Sequence, residues 1–147
     1  HVVDPENSVF YDYYHQRDVS LQSAKGSRIE GIGRPRVEDS FNPDVIDSMQ
    51  KVPDSASIAS MLFLEKLLGR RCGGSTGTNF YGVITLMREM IEQRQNGAIV
   101  TLICDDGNRY TNTYYSKQWR DENAINVTPY LSQIETFWKT GKWTEVS

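Results

Sequence analysis

The stretch Arg70-Arg71-Cys72-Gly73-Gly74-Ser75-Thr76-Gly77-Thr78-Asn79 decides how the rest of this chain is interpreted. Residues 70–72 have the character of a short strand, and the apolar spacing from Phe80 to Gln93 predicts a helix. The order is therefore strand, glycine loop, helix. In such a loop, backbone N–H groups and a hydroxyl converge at a helix N-terminus, which suits an anion or a polar ring atom.

The residues on both sides of this loop predict alternating helices and buried strands. Upstream, Asp54 or Ser55 stands where an N-cap is expected for a helix with one apolar stripe, and Gly69 ends that helix. Downstream, the continuous apolar run from Ala98 to Cys104 is typical of a strand that is covered on both faces. Helices that alternate with such strands predict an α/β fold with a parallel sheet.

The two ends of the chain carry weaker patterns. Residues 1–3 predict the end of a buried strand, and residues 4–8 predict the turn that follows it. The aromatic residues between positions 10 and 14 indicate core packing or an interface. We expect a short helix over residues 43–49 and a longer one over residues 129–143, which would pack on the sheet.

The composition of the chain limits the classes of function that it can have. The chain has 147 residues, of which 38% are hydrophobic, and a net charge of -3, which indicates one globular domain over residues 1–147. The 16 basic residues are scattered among 19 acidic ones, so we expect no nucleic-acid partner. No apolar run approaches the roughly 20 residues that span a bilayer, and no leader pattern opens the sequence, so we expect no membrane partner and a cytoplasmic location.

The spacing of the two cysteines does not match a disulfide-rich scaffold or a zinc-binding motif. Cys72 and Cys104 stand at the ends of apparent strands, so neither a disulfide scaffold nor a zinc site is indicated. We expect two thiols and no metal site. For Cys104 we expect a buried, inert thiol, because free cysteine is among the most buried residue types.

The residues alone allow two interpretations of the glycine loop and a third interpretation based on another glycine pair. The loop is a plain connection if Ser75 only caps the helix. It is a hydrolase nucleophile elbow if Ser75 in Gly73-x-Ser75-x-Gly77 attacks a substrate, but both histidines, His1 and His15, precede that serine, against the expected triad order. A dinucleotide site at Gly31-Ile32-Gly33 lacks the third glycine, and a proline soon follows.

A fourth interpretation comes from three motifs in order. Residues 26–33 are similar to the glycine turn that closes over the substrate side in cysteine synthases and cystathionine β-synthases. Residues 73–77 resemble the Gly-Gly/Ile-Ser-x-Gly loop of that family, and residues 107–113 resemble its Gly-x-Arg-Tyr-x-x-Thr segment. The resemblance runs from Val2 to about Tyr130. It implies the parallel-sheet three-layer fold of the fold type II pyridoxal-phosphate enzymes, of which this chain would be the C-terminal part.

The resemblance also implies a cofactor and the residues that bind it. The cofactor is pyridoxal 5'-phosphate, and the implied binding residues are Ser75, Gly74, Gly31, Cys104 and Asp105. Ser75 would donate its hydroxyl proton to the pyridine nitrogen, which leaves the ring unprotonated. Asp105 either bridges to Ser75 or begins a turn, and we favour the turn. Relatives often have proline where this chain has Cys104.

Arginines next to the glycine turn indicate a subgroup. Arg34 and Arg36 follow Gly33, where many relatives carry small or aromatic residues, and this variant is similar to cysteine synthase-like proteins and cysteine desulfhydrases. The two guanidinium groups either hold a substrate carboxylate or pair with Glu38 and Asp39 at the surface. We favour the surface pairing.

The implied enzyme is larger than this chain. In this family the lysine that forms the Schiff base lies in the half that precedes the residues matching His1, so we expect no catalytic residue here and no turnover by this chain alone. The parent would be a homodimer that acts on a small amino acid by β-replacement on serine or O-activated serine through an aminoacrylate. A cysteine desulfhydrase, which releases sulfide, pyruvate and ammonia, is the alternative, and a noncatalytic binding module is a third possibility.

Overall fold

A computed structural model describes residues 1–146, which divide into two compact units, residues 1–54 and the residues from 55 onward. The first unit contains β1 (Val2–Pro5), α1 (Phe10–Gln16), a 3-10 turn (Pro43–Val45) and β2 (Met49–Val52). The second contains α2 (Asp54–Leu68), which starts at the boundary, α3 (Gly74–Glu92), a 3-10 turn (Gly107–Tyr110), α4 (Lys117–Glu122) and α5 (Thr128–Thr140).

The sheet of the first unit is small and parallel. Strands β1 and β2 pair in register, with Val2 opposite Met49 and Pro5 opposite Val52. The predicted strand at the start of the chain is confirmed, but the turn begins two residues later than expected because Asp4 and Pro5 still pair with β2. The predicted helix over residues 43–49 is wrong beyond its first turn, since β2 begins at Met49. The α/β class with a parallel sheet is confirmed at this coarse level.

Helix α1 was not predicted as a helix, although its aromatic residues were noted. Phe10 stacks on Phe41 with ring centroids 4.2 Å apart, which agrees with a packing role. The buried Asp4 carboxylate accepts a hydrogen bond of 2.9 Å from the N–H of Tyr11, in the first turn of α1. A carboxylate there satisfies an N–H group that has no partner within the helix.

Helices α2 and α3 form the framework of the second unit. Helix α2 has the predicted extent and ends before Gly69, whose φ of 66° is the left-handed value that a C-terminal glycine provides. Helix α3 begins at Gly74, six residues before the predicted start at Phe80. The expected glycine loop is thus the first turn of the helix, and Gly77 packs there against the Ser57 carbonyl, where a Cβ atom would collide.

The predicted strand over residues 98–104 is wrong for this chain. The segment has no regular secondary structure, and Val100, Leu102 and Ile103 are 91%, 72% and 50% exposed. A buried strand needs backbone partners on its sides, and no strand pairs with this segment within residues 1–146. The predicted strand at residues 70–72 is reduced to one antiparallel bridge between Cys72 and Asp106.

Helix α5 confirms the helical pattern of the tail but not its expected place on a sheet. Trp138 contacts the rings of Phe63 and Phe80 at 5.5 and 6.2 Å between centroids. The Tyr81 hydroxyl donates a 3.0 Å hydrogen bond to Gln133, and burial raises the pKa of that tyrosine. The tail therefore packs on α2 and α3. Within residues 1–146, no helix has both the length and the apolar character needed to cross a membrane.

Candidate functional site

The N-terminus of α3 presents backbone donors that the fold leaves free. Its N-cap residue, Gly73, is extended and provides no side-chain cap. The N–H groups of Gly74, Ser75 and Thr76 have no acceptor within residues 1–146. Free first-turn N–H groups and the helix dipole together favour an electron-rich group at this position.

Ser75 is the second residue of the helix and not its cap. Its side chain is half-buried, and its hydroxyl forms no hydrogen bond with any residue that the structure describes. The plain capping interpretation is therefore wrong. The hydrolase interpretation also loses support, because no base within the described chain hydrogen-bonds this hydroxyl.

Asp105 lies directly against the start of α3. Its carbonyl accepts a 3.0 Å hydrogen bond from the N–H of Gly73, and its Oδ2 accepts a 2.7 Å bond from the Tyr110 hydroxyl. A Cβ atom on Gly73 would collide with the Asp105 carboxylate, so only glycine fits there. The Oδ1 atom is buried and has no hydrogen-bond donor. No bridge to Ser75 is formed, and the side chain that caps the following 3-10 turn belongs to Asp106.

Cys104 also lies beside α3, but in a different state from the one expected. Its backbone N–H donates a 2.9 Å hydrogen bond to Thr76 Oγ1, and its Sγ is 3.6 Å from Asn79 Nδ2. The thiol is exposed, so the expectation of a buried Cys104 is wrong. The reason is that the neighbouring residues 98–103 are themselves uncovered.

Cys72 is the buried thiol of the pair. Both cysteines are free, as expected, and burial raises the pKa of the Cys72 thiol. The Tyr115 hydroxyl accepts a 3.0 Å bond from the Cys72 N–H and donates a 2.9 Å bond to its carbonyl. Burial raises the pKa of Tyr115 as well, so its phenol stays neutral. Its two hydrogen bonds hold the backbone of Cys72 in place.

Gly31 lies in the first unit. Its φ of 88° and the φ of 77° at Gly33 confirm that these glycines adopt positive φ. Gly31 is exposed, and its part in cofactor binding stays a prediction. Arg36 pairs with Glu38 at 3.2 Å, as the surface interpretation expected, whereas Arg34 donates to the Gly33 carbonyl at 2.9 Å.

The structure thus brings Gly74, Ser75, Cys104 and Asp105 together. Sequence reasoning missed Tyr110, which anchors the Asp105 carboxylate, although this tyrosine lies within the quoted motif at residues 107–113. It also missed that Gly73 leaves room for the Asp105 carboxylate and that Gly107 leaves room for the backbone of Cys72. Residues 1–146 contain no cluster of side chains suited to hold a metal ion.

Comparison with known proteins identifies relatives of the whole chain. No protein-family model matches the chain. The chain is 45% identical over 143 residues to L-cysteine desulfhydrase Cds1 of Mycobacterium tuberculosis, an alignment that covers 97% of this chain and 39% of Cds1. It is 27% identical over 135 residues to a cysteine synthase of Dictyostelium discoideum, covering 86% of this chain and 35% of that protein.

A protein of Caenorhabditis elegans that is named as pyridoxal-phosphate dependent is 32% identical over 138 residues, covering 82% of this chain and 31% of that protein. The chain therefore spans between 31% and 39% of the length of these three relatives. The chain belongs to the cysteine synthase and cysteine desulfhydrase family of pyridoxal-phosphate-dependent proteins.

Proposed function

We propose that this chain is the C-terminal part of a pyridoxal-phosphate-dependent enzyme that acts at the β-carbon of cysteine or a related amino acid. The observation that carries the proposal is the start of α3, where free N–H groups and a free hydroxyl lie beside an unsatisfied carboxylate oxygen. The 45% identity to a desulfhydrase, against 27% to a synthase, favours cysteine desulfhydration. Serine or O-activated serine as the substrate of a β-replacement is the second candidate, supported by the relatives named cysteine synthase.

The donors and acceptors at this site fit the polar edge of a pyridine ring. Such a ring offers one nitrogen and a flat surface, so it needs a donor or an acceptor at that nitrogen and space beside it. Gly74 carries no side chain at the start of the helix, and Ser75 supplies a hydroxyl that the fold does not use. Asp105 Oδ1 lies against Gly73, so the free polar groups at this position are the Ser75 hydroxyl and the N–H groups of Gly74 and Ser75.

Bound pyridoxal phosphate supplies an electron sink for the carbon that loses its proton during β-elimination. The residues of this chain hold and orient its ring. The N–H groups of Gly74 and Ser75 would position the edge of the ring, and Cys104 would flank it. The buried hydrogen bond of 2.8 Å between Thr78 and Ser57 fixes the first turn of α3 on α2, so the donors keep their direction.

Desulfhydration converts cysteine and water into hydrogen sulfide, pyruvate and ammonia. Replacement uses the same loss of the β-substituent but ends with a thiol or sulfide added to the β-carbon. The enzyme would carry its Schiff-base lysine outside the residues of this chain, and the homodimer and the cytoplasmic location stay predictions. The three-layer fold is proposed for the longer protein, in which residues 98–104 would form a strand of the central sheet.

The test uses the full-length protein that contains this chain. Purified protein is scanned for bound pyridoxal phosphate and assayed with cysteine alone, and then with O-acetylserine plus sulfide. We expect bound cofactor and sulfide release from cysteine. Ser75→Ala should weaken cofactor affinity about tenfold, the effect of losing one hydrogen bond.

Ser55→Ala is the matched control, because Ser55 is also the second residue of a helix, α2, and lies outside the site. It should leave cofactor affinity unchanged. Faster turnover with O-acetylserine plus sulfide would favour the synthase. Absence of both cofactor and turnover would leave the noncatalytic binding module as the better interpretation.

A further inference from the structure

Arg71 connects three segments of the second unit through one side chain. Its Nε donates a 2.8 Å hydrogen bond to Glu65 in the last turn of α2, and its Nη1 donates a 3.0 Å bond to the Thr111 hydroxyl oxygen. The guanidinium group also lies over the ring of Tyr115, 4.8 Å from the centroid. Because this group is planar and carries its donors in a fixed fork, the three contacts together fix the direction of the 111–115 segment relative to α2.

The backbone of Arg71 is joined to the same stretch of chain. Its carbonyl accepts a 3.4 Å hydrogen bond from the N–H of Gly107, and a Cβ atom on Gly107 would lie 2.7 Å from the Cβ of Arg71. The Thr111 hydroxyl that accepts from Arg71 donates in turn to the Asn108 carbonyl at 2.7 Å. The segment that begins two residues after Asp105 is therefore held by both the backbone and the side chain of Arg71.

The side-chain contacts of Arg71 affect geometry more than stability. The side chains of Arg71 and Glu65 are 34% and 36% exposed, so water screens their ion pair, and such pairs contribute little to the free energy of unfolding. A cation–π contact at a partly exposed site is similarly weak. The loss of this side chain should therefore change the placement of residues 104–111 without preventing the chain from folding.

We propose that Arg71 is a positioning residue for the cofactor site, which holds residues 104–111 so that Cys104 and Asp105 keep their places beside the start of α3. This inference rests on the proposed function, in which the first turn of α3 positions the edge of the pyridine ring and Cys104 flanks the ring. Arg71 acts through these residues and not by contact with the ring.

Affinity for the cofactor and orientation of the cofactor then depend on different contacts. The N–H groups and the Ser75 hydroxyl at the start of α3 are unchanged when Arg71 is replaced, so the cofactor still binds. The flank of the ring loses its fixed position, and a misplacement of about 1 Å costs about a hundredfold in rate. We therefore expect a loss of kcat with little change in KM or in cofactor affinity.

The test uses full-length protein loaded with pyridoxal phosphate. Arg71→Lys keeps the positive charge but replaces the planar fork with one ammonium group, which cannot lie flat on Tyr115. We expect kcat for sulfide release from cysteine to fall at least about tenfold, with KM and cofactor affinity changed less than about twofold. The visible circular dichroism per bound cofactor should weaken, because this signal reports the fixed orientation of the ring. The thermal midpoint should move by less than about 3 °C.

A second variant and a matched control make the outcome specific to the loop. Thr111→Val removes the acceptor of Arg71 Nη1 and should reproduce part of the loss of kcat and dichroism, so it also covers the case in which Arg71→Lys does not fold. The double variant should be no slower than Arg71→Lys, because both changes break the same contact. Arg70→Lys is the control. The Arg70 side chain is exposed and forms no hydrogen bond or ion pair with the described part of the chain, so both signals should stay native.

Each failure has its own signature. If the native full-length protein retains no cofactor, the proposed function fails and this inference with it. If the cofactor is retained but Arg71→Lys and Thr111→Val have native kcat and native dichroism, only the role of Arg71 is wrong. A loss of kcat that follows a parallel loss of cofactor and of thermal stability would also overturn it, because Arg71 would then only support folding.

Discussion

Two neighbouring regions of the second unit behave in opposite ways. The loop cluster, residues 72–77 with residues 104–110, is closed by hydrogen bonds and by glycines that fit against backbone or carboxylate atoms. The apolar segment, residues 98–103, has no regular secondary structure, is mostly exposed and pairs with no strand within residues 1–146. The loop cluster finds its partners about 30 positions away in the same chain, whereas an interior strand needs a strand on each side.

The largest expected effect tests whether the apolar segment is covered in the longer protein. In this chain alone, Val100→Asp should change the free energy of unfolding by less than about 0.5 kcal/mol, because Val100 is exposed. In the full-length protein, the same change should cost about 3–5 kcal/mol, since an unpaired charge would be buried. Urea unfolding of both forms measures the difference. Equal, small losses in the two forms would show that the segment stays uncovered.

Thiol reactivity compares the two regions within one molecule. Cys104 is exposed, whereas Cys72 is 1% exposed and burial raises its pKa. In this chain, a maleimide should modify Cys104 at least about a hundredfold faster than Cys72, because Cys72 reacts only after local opening. Mass spectrometry of a time course gives both rates. Similar rates would mean that the loop cluster opens easily.

Glycine substitution tests how tightly the loop cluster is packed. A Cβ atom on Gly107 would lie 2.5 Å from both the N and the O atoms of Cys72, so Gly107→Ala should cost about 1–3 kcal/mol. Gly97→Ala is the matched control, because the nearest atom to its Cβ is the end of the flexible Met90 side chain at 3.4 Å. It should change stability by less than about 0.5 kcal/mol. Equal losses of stability in the two variants would show that the loop cluster is not tightly packed around Gly107.

The smallest effect concerns the one hydroxyl of the loop cluster that the fold does not use. Ser75→Ala should change the free energy of unfolding by less than about 0.5 kcal/mol, because Ser75 Oγ forms no hydrogen bond within residues 1–146. If the Ser75 hydroxyl capped the helix, its removal would lower the free energy of unfolding by about 1 kcal/mol. Thermal unfolding of the two proteins decides between these values, and the larger loss would restore the capping interpretation.

Sequence patterns predicted the features that depend on a few neighbouring residues. The apolar stripe and Gly69 marked α2 correctly, and residues 1–3 marked β1. The site residues Gly74, Ser75, Cys104 and Asp105 were named from motifs, and the structure places them side by side. Sequence patterns failed where residues distant in sequence decide the structure. Helices α1 and α4 were not predicted, and α3 begins six residues before its predicted start, in a turn where Gly77 packs against α2.

By itself, the sequence determined the family, the association of the glycine motif with the start of a helix, and the presence of a parallel α/β pattern. Only the tertiary structure decided the state of individual atoms at the site. It showed that the Ser75 hydroxyl is free, that Tyr110 holds one oxygen of Asp105, and that the other oxygen lacks a donor. The reason is physical: motifs and periodicity reflect local backbone preferences, whereas hydrogen-bond satisfaction and burial depend on residues that meet only after the chain has folded.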